Sequence, residues 1–426
     1  MFDPRGVIRA PLHKQRISDR PTDVAARRLR RDSAAHCGEM NRYGKELVSR
    51  SNTPDPGAPI TKGSAPASAS GATSAAGASR AHPTGAAPRE FASPRLRAAS
   101  EHPRRTVEAL IFSRDVTSVF GSGVRLSRLV KSGELTCLTR GQYIRTHQWA
   151  AMGADQRYAA RVLAAAHSRI APPPLSHYSA AVLWGLPMLR TWPSDVHFLS
   201  ERKPGGQSYP GIRIHAVGFD ARDVTMLDGV HVTTVARTVV DLAACLDVKS
   251  AVAVIDRALA VDRFNNSPPL TTKQELRDTW ERMLPFSGSV RAREYIEFGT
   301  EDSGSPGESS SRVNIALNGF PTPILQRTFV IDGKEYHTDF FWEEIDGVGE
   351  SDGDIKYFDP AMLGDRTPEQ VLKAERNRER AIRRKVHEFT RWDFAVGQSQ
   401  YRLRERLMEI GLVPGRPRLQ LKQFRT

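Results

Sequence analysis

Three acidic residues in the last third of the chain have types and spacing that suit metal-dependent chemistry. Glu350 and Asp352 are two residues apart, so on a β-strand both carboxylates project from one face. Asp339 lies near the end of the preceding strand-like segment and could reach the same face. Clustered carboxylates repel one another, and Mg²⁺ suits such hard oxygen ligands while keeping waters for chemistry. The spacing therefore predicts a Mg²⁺ site that supports phosphodiester hydrolysis, with Lys356 polarising the phosphate or orienting the water.

The spacing of these acids would also fit a solvent-facing acidic strand end that runs into a polar turn, so both interpretations stay open.

The segments around these acids predict the elements that position them. A helix is predicted from Ser305-Pro306 to Asn318, and Gly319 ends it. The remaining predicted elements are strands at 324–331, 335–342 and 348–352, a helix at 368–385 and a closing strand at 387–394. The predicted order is thus helix, three strands, helix and strand.

This order and its acidic residues resemble a known nuclease pattern. Asp339, the stretch Gly349-Glu350-Ser351-Asp352-Gly353, Lys356 and the stretch Lys373-Ala374-Glu375-Arg376 carry the resemblance. Residues 300–400 are similar to the restriction-endonuclease-like, PD-(D/E)XK-type nucleases, close to the very-short-patch-repair endonucleases. The resemblance implies an α/β nuclease domain in which Asp339 and Glu350 bind the metal.

Two positions qualify this resemblance. The general motif has a lysine two residues after the glutamate, where this chain has Asp352, so Lys356 would have to replace it. Otherwise the site would bind metal and cleave poorly. Glu308 matches an acidic residue on the preceding helix that often assists the metal, but with Ser305 it also forms a capping-box pattern.

Residues 106–150 predict a small DNA-binding unit. Two short helices are expected at 106–120 and 124–132, followed by a β-hairpin at 135–144. Helix, turn, helix and hairpin make a winged helix-turn-helix, whose second helix enters the major groove. Arg125, Arg128 and Lys131 share one face of that helix, and Arg140 lies at the tip of the wing. The alternative is a solvated basic face on a small helical unit.

The stretch that follows resembles another family. Residues 176–187 (SHYSAAVLWGLP) and 236–242 (ARTVVDL), placed after a winged helix, are similar to the AbiEi-type antitoxins of type IV toxin–antitoxin systems. The resemblance implies operator binding and a cognate toxin as partner. Arg237 and Asp241 are four apart on a helix and are expected to pair structurally. Four histidines at 177, 197, 215 and 231 have no close metal-ligand spacing and are interpreted as structural.

The predicted helix at 368–385 is rich in cations. Lys373 and Arg376 share a face and are predicted to contact the DNA backbone. Glutamates alternate with these cations, so a solvated helix is the alternative interpretation.

Composition limits the remaining classes of protein. The 426 residues include 62 Lys plus Arg against 48 Asp plus Glu, a net charge of +14. Residues 1–105 hold 19 basic and 9 acidic side chains and so carry most of that charge, and Ala, Ser, Pro and Gly fill 34 of positions 51–100. This composition predicts a disordered extension. Three widely spaced cysteines argue against a disulfide framework, and no apolar run is long enough for a membrane span, so we expect a cytoplasmic protein.

Together these patterns predict an α/β (α+β) protein with five regions. These are a disordered extension (1–105), a winged helix-turn-helix (106–150), an antitoxin-like α/β domain (151–285), an endonuclease-like domain (295–400) and a tail (401–426). We expect a DNA-interacting protein with a Mg²⁺-dependent endonuclease-like domain. The alternative function is a non-enzymatic transcriptional regulator or antitoxin with an inactive nuclease fold.

Overall fold

The computed structural model describes residues 108–120, 123–202, 208–261, 268–352 and 367–419. The predictions for residues 1–105, for Lys356 and for the end of the tail lie outside these ranges. The described residues form a mixture of helices and sheets, as an α/β chain requires.

The first described unit is a three-stranded sheet with two helices. Its elements are β1 (Leu110–Phe112), α1 (Ser113–Phe120), α2 (Gly123–Lys131), β2 (Leu135–Thr139) and β3 (Gln142–Arg145). The strand order is β1-β3-β2, with antiparallel neighbours. The helix expected from residue 106 to 120 is wrong in part, because residues 110–112 form β1. Pairing with β3, with Ile111 opposite Tyr143, gives these backbone groups sheet partners and leaves the helix to begin at Ser113.

The middle of the chain surrounds small strands with helices. Its elements are α3 (Thr146–Ala151), α4 (Ala154–His167), α5 (His177–Leu183), β4 (Val196–Leu199), β5 (Ile212–His215), β6 (Val224–Leu227), β7 (Val230–Thr233), α6 (Val235–Cys245), α7 (Val248–Leu259), α8 (Lys273–Met283) and α9 (Ser289–Phe298). Strands β4 and β5 are parallel, and β6 and β7 form a hairpin that turns at Asp228-Gly229, where both residues have positive φ. Bridges from Leu175 to Phe198 and Val232 connect the two strand pairs.

The described residues of the C-terminal region, 295–352 and 367–419, follow the predicted order of helix, three strands, helix and strand. Its elements are α10 (Pro306–Leu317), β8 (Ile324–Ile331), β9 (Lys334–Trp342), β10 (Gly347–Ser351), α11 (Pro368–Arg383), β11 (Glu388–Trp392), α12 (Phe394–Gln398) and α13 (Gln400–Glu409). The sheet order is β11-β10-β9-β8; β10 and β11 are parallel and the other neighbours antiparallel.

Each face of this sheet has its own apolar core. Phe340, Trp342 and Trp392 pack with Ile315 of α10 and with Leu403 of α13. The core that includes α11 contains Phe341, Val348, Ala381 and Ile382. Alternation along β9 and β10 therefore directs successive apolar residues to opposite cores.

Helix α10 joins the middle and C-terminal regions. Val313 and Ala316 belong to the core of the middle region, whereas Ile315 belongs to a core of the C-terminal sheet. Arg312 donates to both oxygens of the buried Asp256 of α7, at 2.9 Å each. The two regions thus share a helix rather than a linker. Within the described ranges, no helix combines the length and apolar character needed to cross a bilayer.

Candidate acidic site and basic faces

The predicted DNA-contacting residues of the first unit lie on its surface. Arg125, Arg128 and Lys131 are exposed on α2, whereas Leu126 of the same helix is buried. Arg140 is exposed at the turn between β2 and β3. The helix therefore buries its apolar side and presents a row of cations, which we call the α2 basic face (Arg125, Arg128 and Lys131).

Asp339 and Glu350 meet across two antiparallel strands. The register sets Val348 opposite Phe341 and Gly349 opposite Phe340, and Glu350 and Asp339 are the next residues of the two strands. The backbone N–H of Ser351, the neighbour of Glu350, donates to Asp339 Oδ2 at 2.8 Å. Residues that continue an antiparallel register project from the same face of a sheet, so the structure brings these two predicted residues together.

Two arginines hold the carboxylate of Glu350. Arg378 of α11 donates to both of its oxygens, at 2.7 and 2.8 Å, and Arg391 of β11 donates to Oε2 at 2.6 Å. The Glu350 side chain is only 5% exposed, compared with 24% for Arg378 and 21% for Arg391. A buried carboxylate is thus bound on both oxygens by two cations that still reach the surface.

The same arginines also bind other carboxylates. Arg378 and Arg391 both donate to Glu375 Oε1, at 3.0 and 2.7 Å. Arg391 further pairs with Asp352 at 3.3 Å and with Glu379 at 3.4 Å. We call this group the Glu350 network (Glu350, Asp352, Glu375, Glu379, Arg378 and Arg391). It contains four carboxylates and two guanidinium groups.

The contacts in the network favour the charged forms of both arginine and glutamate. Burial lowers the pKa of Arg391, but hydrogen bonds and charge from Glu350 and the other acids outweigh it, so the pKa lies above its usual value. Burial would raise the pKa of Glu375, yet Arg378 and Arg391 hold it below the ordinary glutamate value. Both shifts favour the charged forms of Arg391 and Glu375, so the contact between them is an ion pair.

Glu308 lies in a separate hydrogen-bonded setting. Its backbone N–H donates to Ser305 Oγ at 3.2 Å, which is the helix cap predicted from the sequence. Its carboxylate accepts from the Gly304 backbone N–H at 2.8 Å and from Gln326 Nε2 at 3.1 Å. The carboxylate is thus used to fix the loop before α10.

The Glu350 network, as placed, does not fit a Mg²⁺ ion. Mg²⁺ requires oxygen ligands at about 2.1 Å in octahedral geometry, whereas both oxygens of Glu350 are taken by guanidinium groups. Within the described ranges, no three His, Cys, Asp or Glu side chains are grouped so that they could hold an ion. Binding of Mg²⁺ by Glu350 therefore stays a prediction and requires that a guanidinium leaves first.

The position of Arg378 on the sheet-facing side of α11 could have been predicted from the sequence. Glu375, Arg378 and Ile382 recur at positions i, i+3 and i+7, so they share the α11 face that contacts the sheet. Lys373 and Arg376, which the sequence favoured, are exposed on α11. Arg391 could not be found by spacing, because its contact with Glu350 depends on β10 and β11 being parallel neighbours in register.

Three of the four dispersed histidines come together in the middle region. The rings of His177 and His215 stack with centroids 3.6 Å apart, and His197 Nδ1 lies 2.9 Å from His215 Nε2. His177 has a φ of +49°, which is uncommon for a residue other than glycine. His231, the fourth, is exposed on β7. We call the three the histidine cluster (His177, His197 and His215).

A buried ionic network lies beside the histidine cluster. Arg237 pairs with Asp241 at 3.0 Å, as predicted, and with Asp223 at 2.9 Å, and Arg282 also pairs with Asp223. Asp241 Oδ2 is 3.9 Å from His177 Nδ1. Residues 176–187 and 236–242, which are far apart in the sequence, therefore meet at one place. We call these four residues the Arg237 network (Asp223, Arg237, Asp241 and Arg282).

The histidine cluster is uncharged at neutral pH. Burial is the main cause that lowers the pKa of His177, His197 and His215 to about 3, and nearby arginines lower it further. Burial raises the pKa of Asp241, while Arg237 opposes this shift. Neutral imidazoles explain how stacked rings tolerate such close contact.

Comparisons with known proteins add no assignment. The chain matches no family model and no curated protein.

Proposed function

We propose that the chain binds duplex DNA through its first described unit. The observation that carries this proposal is the strand order β1-β3-β2 with the α2 basic face beside it. In a winged helix the second helix enters the major groove and the hairpin contacts the backbone. In this assignment α2 is the recognition helix, and Arg140 at the β2–β3 turn is the wing contact.

Three cations of this unit are available for a partner. Arg128, Lys131 and Arg140 are exposed and make no ion pair among the described residues. Phosphate contacts supply most of the affinity for duplex DNA and make it salt-dependent. Contacts from α2 to base edges would then give the sequence preference.

Fluorescence anisotropy tests this proposal. The labelled duplex carries the DNA upstream of the chain's own coding sequence, and a shuffled duplex serves as reference. We expect the variant Arg128→Ala/Lys131→Ala to bind at least tenfold more weakly and with a reduced salt dependence. Arg406→Ala on α13 is the control, because Arg406 pairs with Glu409 far along the chain. Equal binding by wild type and the double variant would reject the proposed face.

The second candidate function is phosphodiester hydrolysis by the C-terminal region. The helix, three-strand, helix, strand order and the opposed Asp339 and Glu350 support it. The hydrogen bonds from Arg378 and Arg391 to Glu350 argue against a catalytically competent site in this state. A cleavage assay on plasmid and short duplexes with Mg²⁺ and Mn²⁺ decides the question: cleavage lost in Asp339→Ala supports hydrolysis. Identical behaviour of wild type and Asp339→Ala across metals and substrates rejects it and leaves a non-enzymatic regulator.

A cognate toxin is a proposed partner of the middle region. The supporting observation is that residues 176–187 and 236–242 form one contiguous cluster around His177, Arg237 and Asp241. If a nucleotidyltransferase-like gene lies beside the gene for this chain, co-expression should neutralise the growth defect that its product causes. Persistence of the defect with the full chain present would reject the antitoxin assignment.

A further inference from the structure

We infer that Arg378 and Arg391 form an autoinhibitory contact that keeps Glu350 from binding a divalent cation until a phosphodiester draws them away. This inference rests on the proposed nuclease-like role of the C-terminal region. A divalent cation at this site would need a carboxylate oxygen of Glu350 as a ligand, but both oxygens accept hydrogen bonds from arginines.

Glu350 has no oxygen without a guanidinium. Arg378 bridges both oxygens and Arg391 adds a third hydrogen bond. A cation bound at either oxygen would lie within a few ångströms of two positive charges, and the repulsion in a partly buried site is large. The carboxylate is therefore an ion-pair partner in this state.

The two arginines have alternatives to Glu350. Arg391 already contacts Asp352, Glu375 and Glu379, and Arg378 also contacts Glu375. Each of the two guanidinium groups therefore pairs with more than one carboxylate. Loss of the Glu350 contact therefore leaves each arginine paired, which lowers the barrier to exchange.

A phosphodiester is the ligand that could compete for these arginines. Guanidinium groups bind phosphate and carboxylate with the same fork geometry. The side chains of Arg378 and Arg391 are each more than a fifth exposed. Exposed Lys373 and Arg376 add positive charge to the same helix and would attract a nucleic-acid backbone to this region. Phosphate binding and cation binding would then assist each other, as linked equilibria require.

Manganese binding, followed by the electron paramagnetic resonance signal of free Mn²⁺, tests the contact without any need for activity. We expect wild type without DNA to show no Mn²⁺ site that Glu350→Gln removes. The double variant Arg378→Gln/Arg391→Gln, which removes both guanidinium groups from Glu350, should create such a site, with affinity raised about tenfold or more, a typical size for coupled sites. Arg380→Gln is the matched control, because Arg380 is exposed on the same helix and makes no ion pair among the described residues. Arg378→Gln alone, which leaves Glu350 Oε1 without a guanidinium, gives a second route should the double variant fail to fold.

A duplex provides the second arm. Wild type saturated with a short duplex should gain the same site, with Glu350→Gln plus duplex correcting for Mn²⁺ held by the DNA. A Glu350-dependent site in free wild type, or none in either arginine variant, overturns the inference. Anisotropy separates this inference from the proposed function. If the chain does not bind DNA but Arg378→Gln/Arg391→Gln gains the Mn²⁺ site, DNA is rejected as the trigger and the inhibitory contact is retained.

Discussion

The Arg237 network and the Glu350 network combine arginine with carboxylate in different proportions and at different depths. The first has two arginines and two aspartates, and Arg237, Asp223 and Asp241 are only 3–4% exposed. The second has two arginines and four acids, and its arginines and Glu375 are 21–29% exposed. Among the described residues, only the first lies beside a cluster of neutral histidines.

This difference separates a fixed network from an exchangeable one. Buried charges are costly unless every one is paired, so loss of one partner in a balanced network leaves an uncompensated charge. In the Glu350 network water reaches the arginines and each retains another acid. The first network therefore ties structure together, and the second is the place where a charged ligand can enter.

Removing Arg237 should give the largest effect. Arg237→Met leaves Asp223 with only Arg282 and leaves Asp241 buried beside neutral His177. We expect a loss of about 3–5 kcal/mol in the free energy of unfolding, measured by urea denaturation.

The same substitution at Arg391 sharpens the contrast. Arg391→Met leaves Glu350 bound by Arg378, so the loss should be no more than about 2 kcal/mol. Similar losses in the free energy of unfolding for the two variants would show that neither burial nor the ratio of arginines to acids distinguishes the two networks.

Contacts and turns within one element or one hairpin could be predicted from the sequence. Arg237 with Asp241 is a contact within one helix, and the hairpins at Asp228-Gly229 and Asp332-Gly333 require only residues that accept positive φ. The order of elements in the C-terminal region also follows from local patterns.

Contacts between distant elements were not reachable in this way. The histidine cluster joins α5, β4 and β5, and the partners of Glu350 come from α11 and β11. Strand β1 was missed for the same reason, because three residues become a strand only through pairing with β3. Spacing defines faces of one element, whereas these contacts depend on packing between elements.

Acid should destabilise the fold through the histidine cluster. The three histidines titrate near 6.5 when unfolded but at about 3 when folded. Below about pH 6.5 the unfolded chain therefore binds more protons, and stability falls as the pH decreases toward 3. Each histidine contributes up to about 1.4 kcal/mol per pH unit, while the raised pKa of Asp241 acts in the opposite direction.

The variant His215→Gln isolates this contribution. Urea unfolding at several pH values between about 7 and 5 should show a shallower dependence for the variant, by up to about 1.4 kcal/mol per pH unit. His231→Gln is the control, because His231 is exposed. An unchanged slope in His215→Gln would mean that the cluster is protonated in the folded chain.

Glu350→Gln should cost less than loss of Arg237. The amide keeps one acceptor for Arg378, and both arginines retain Glu375, so we expect a loss of about 1–2 kcal/mol in the free energy of unfolding. Added salt should reduce the difference from wild type, because the network is partly exposed. A loss of 3–5 kcal/mol, as expected for Arg237→Met, would show instead that Glu350 is a structural centre.

The smallest effect on stability should come from the exposed cations of α11. Lys373 and Arg376 make no ion pair among the described residues, so Lys373→Gln/Arg376→Gln should change the free energy of unfolding by less than about 0.5 kcal/mol.

The same double variant also tests whether this face attracts a nucleic-acid backbone. If it does, the variant should reduce the slope of log affinity against log salt by about 2, since each phosphate contact contributes about 1. Because Arg376 and Arg378 are only two positions apart but lie on different faces of the helix, Mn²⁺ binding by the DNA-free chain should be unaffected. If Lys373→Gln/Arg376→Gln binds Mn²⁺ like Arg378→Gln/Arg391→Gln, the whole charge of α11, rather than the contacts of Arg378 and Arg391, keeps cations from Glu350.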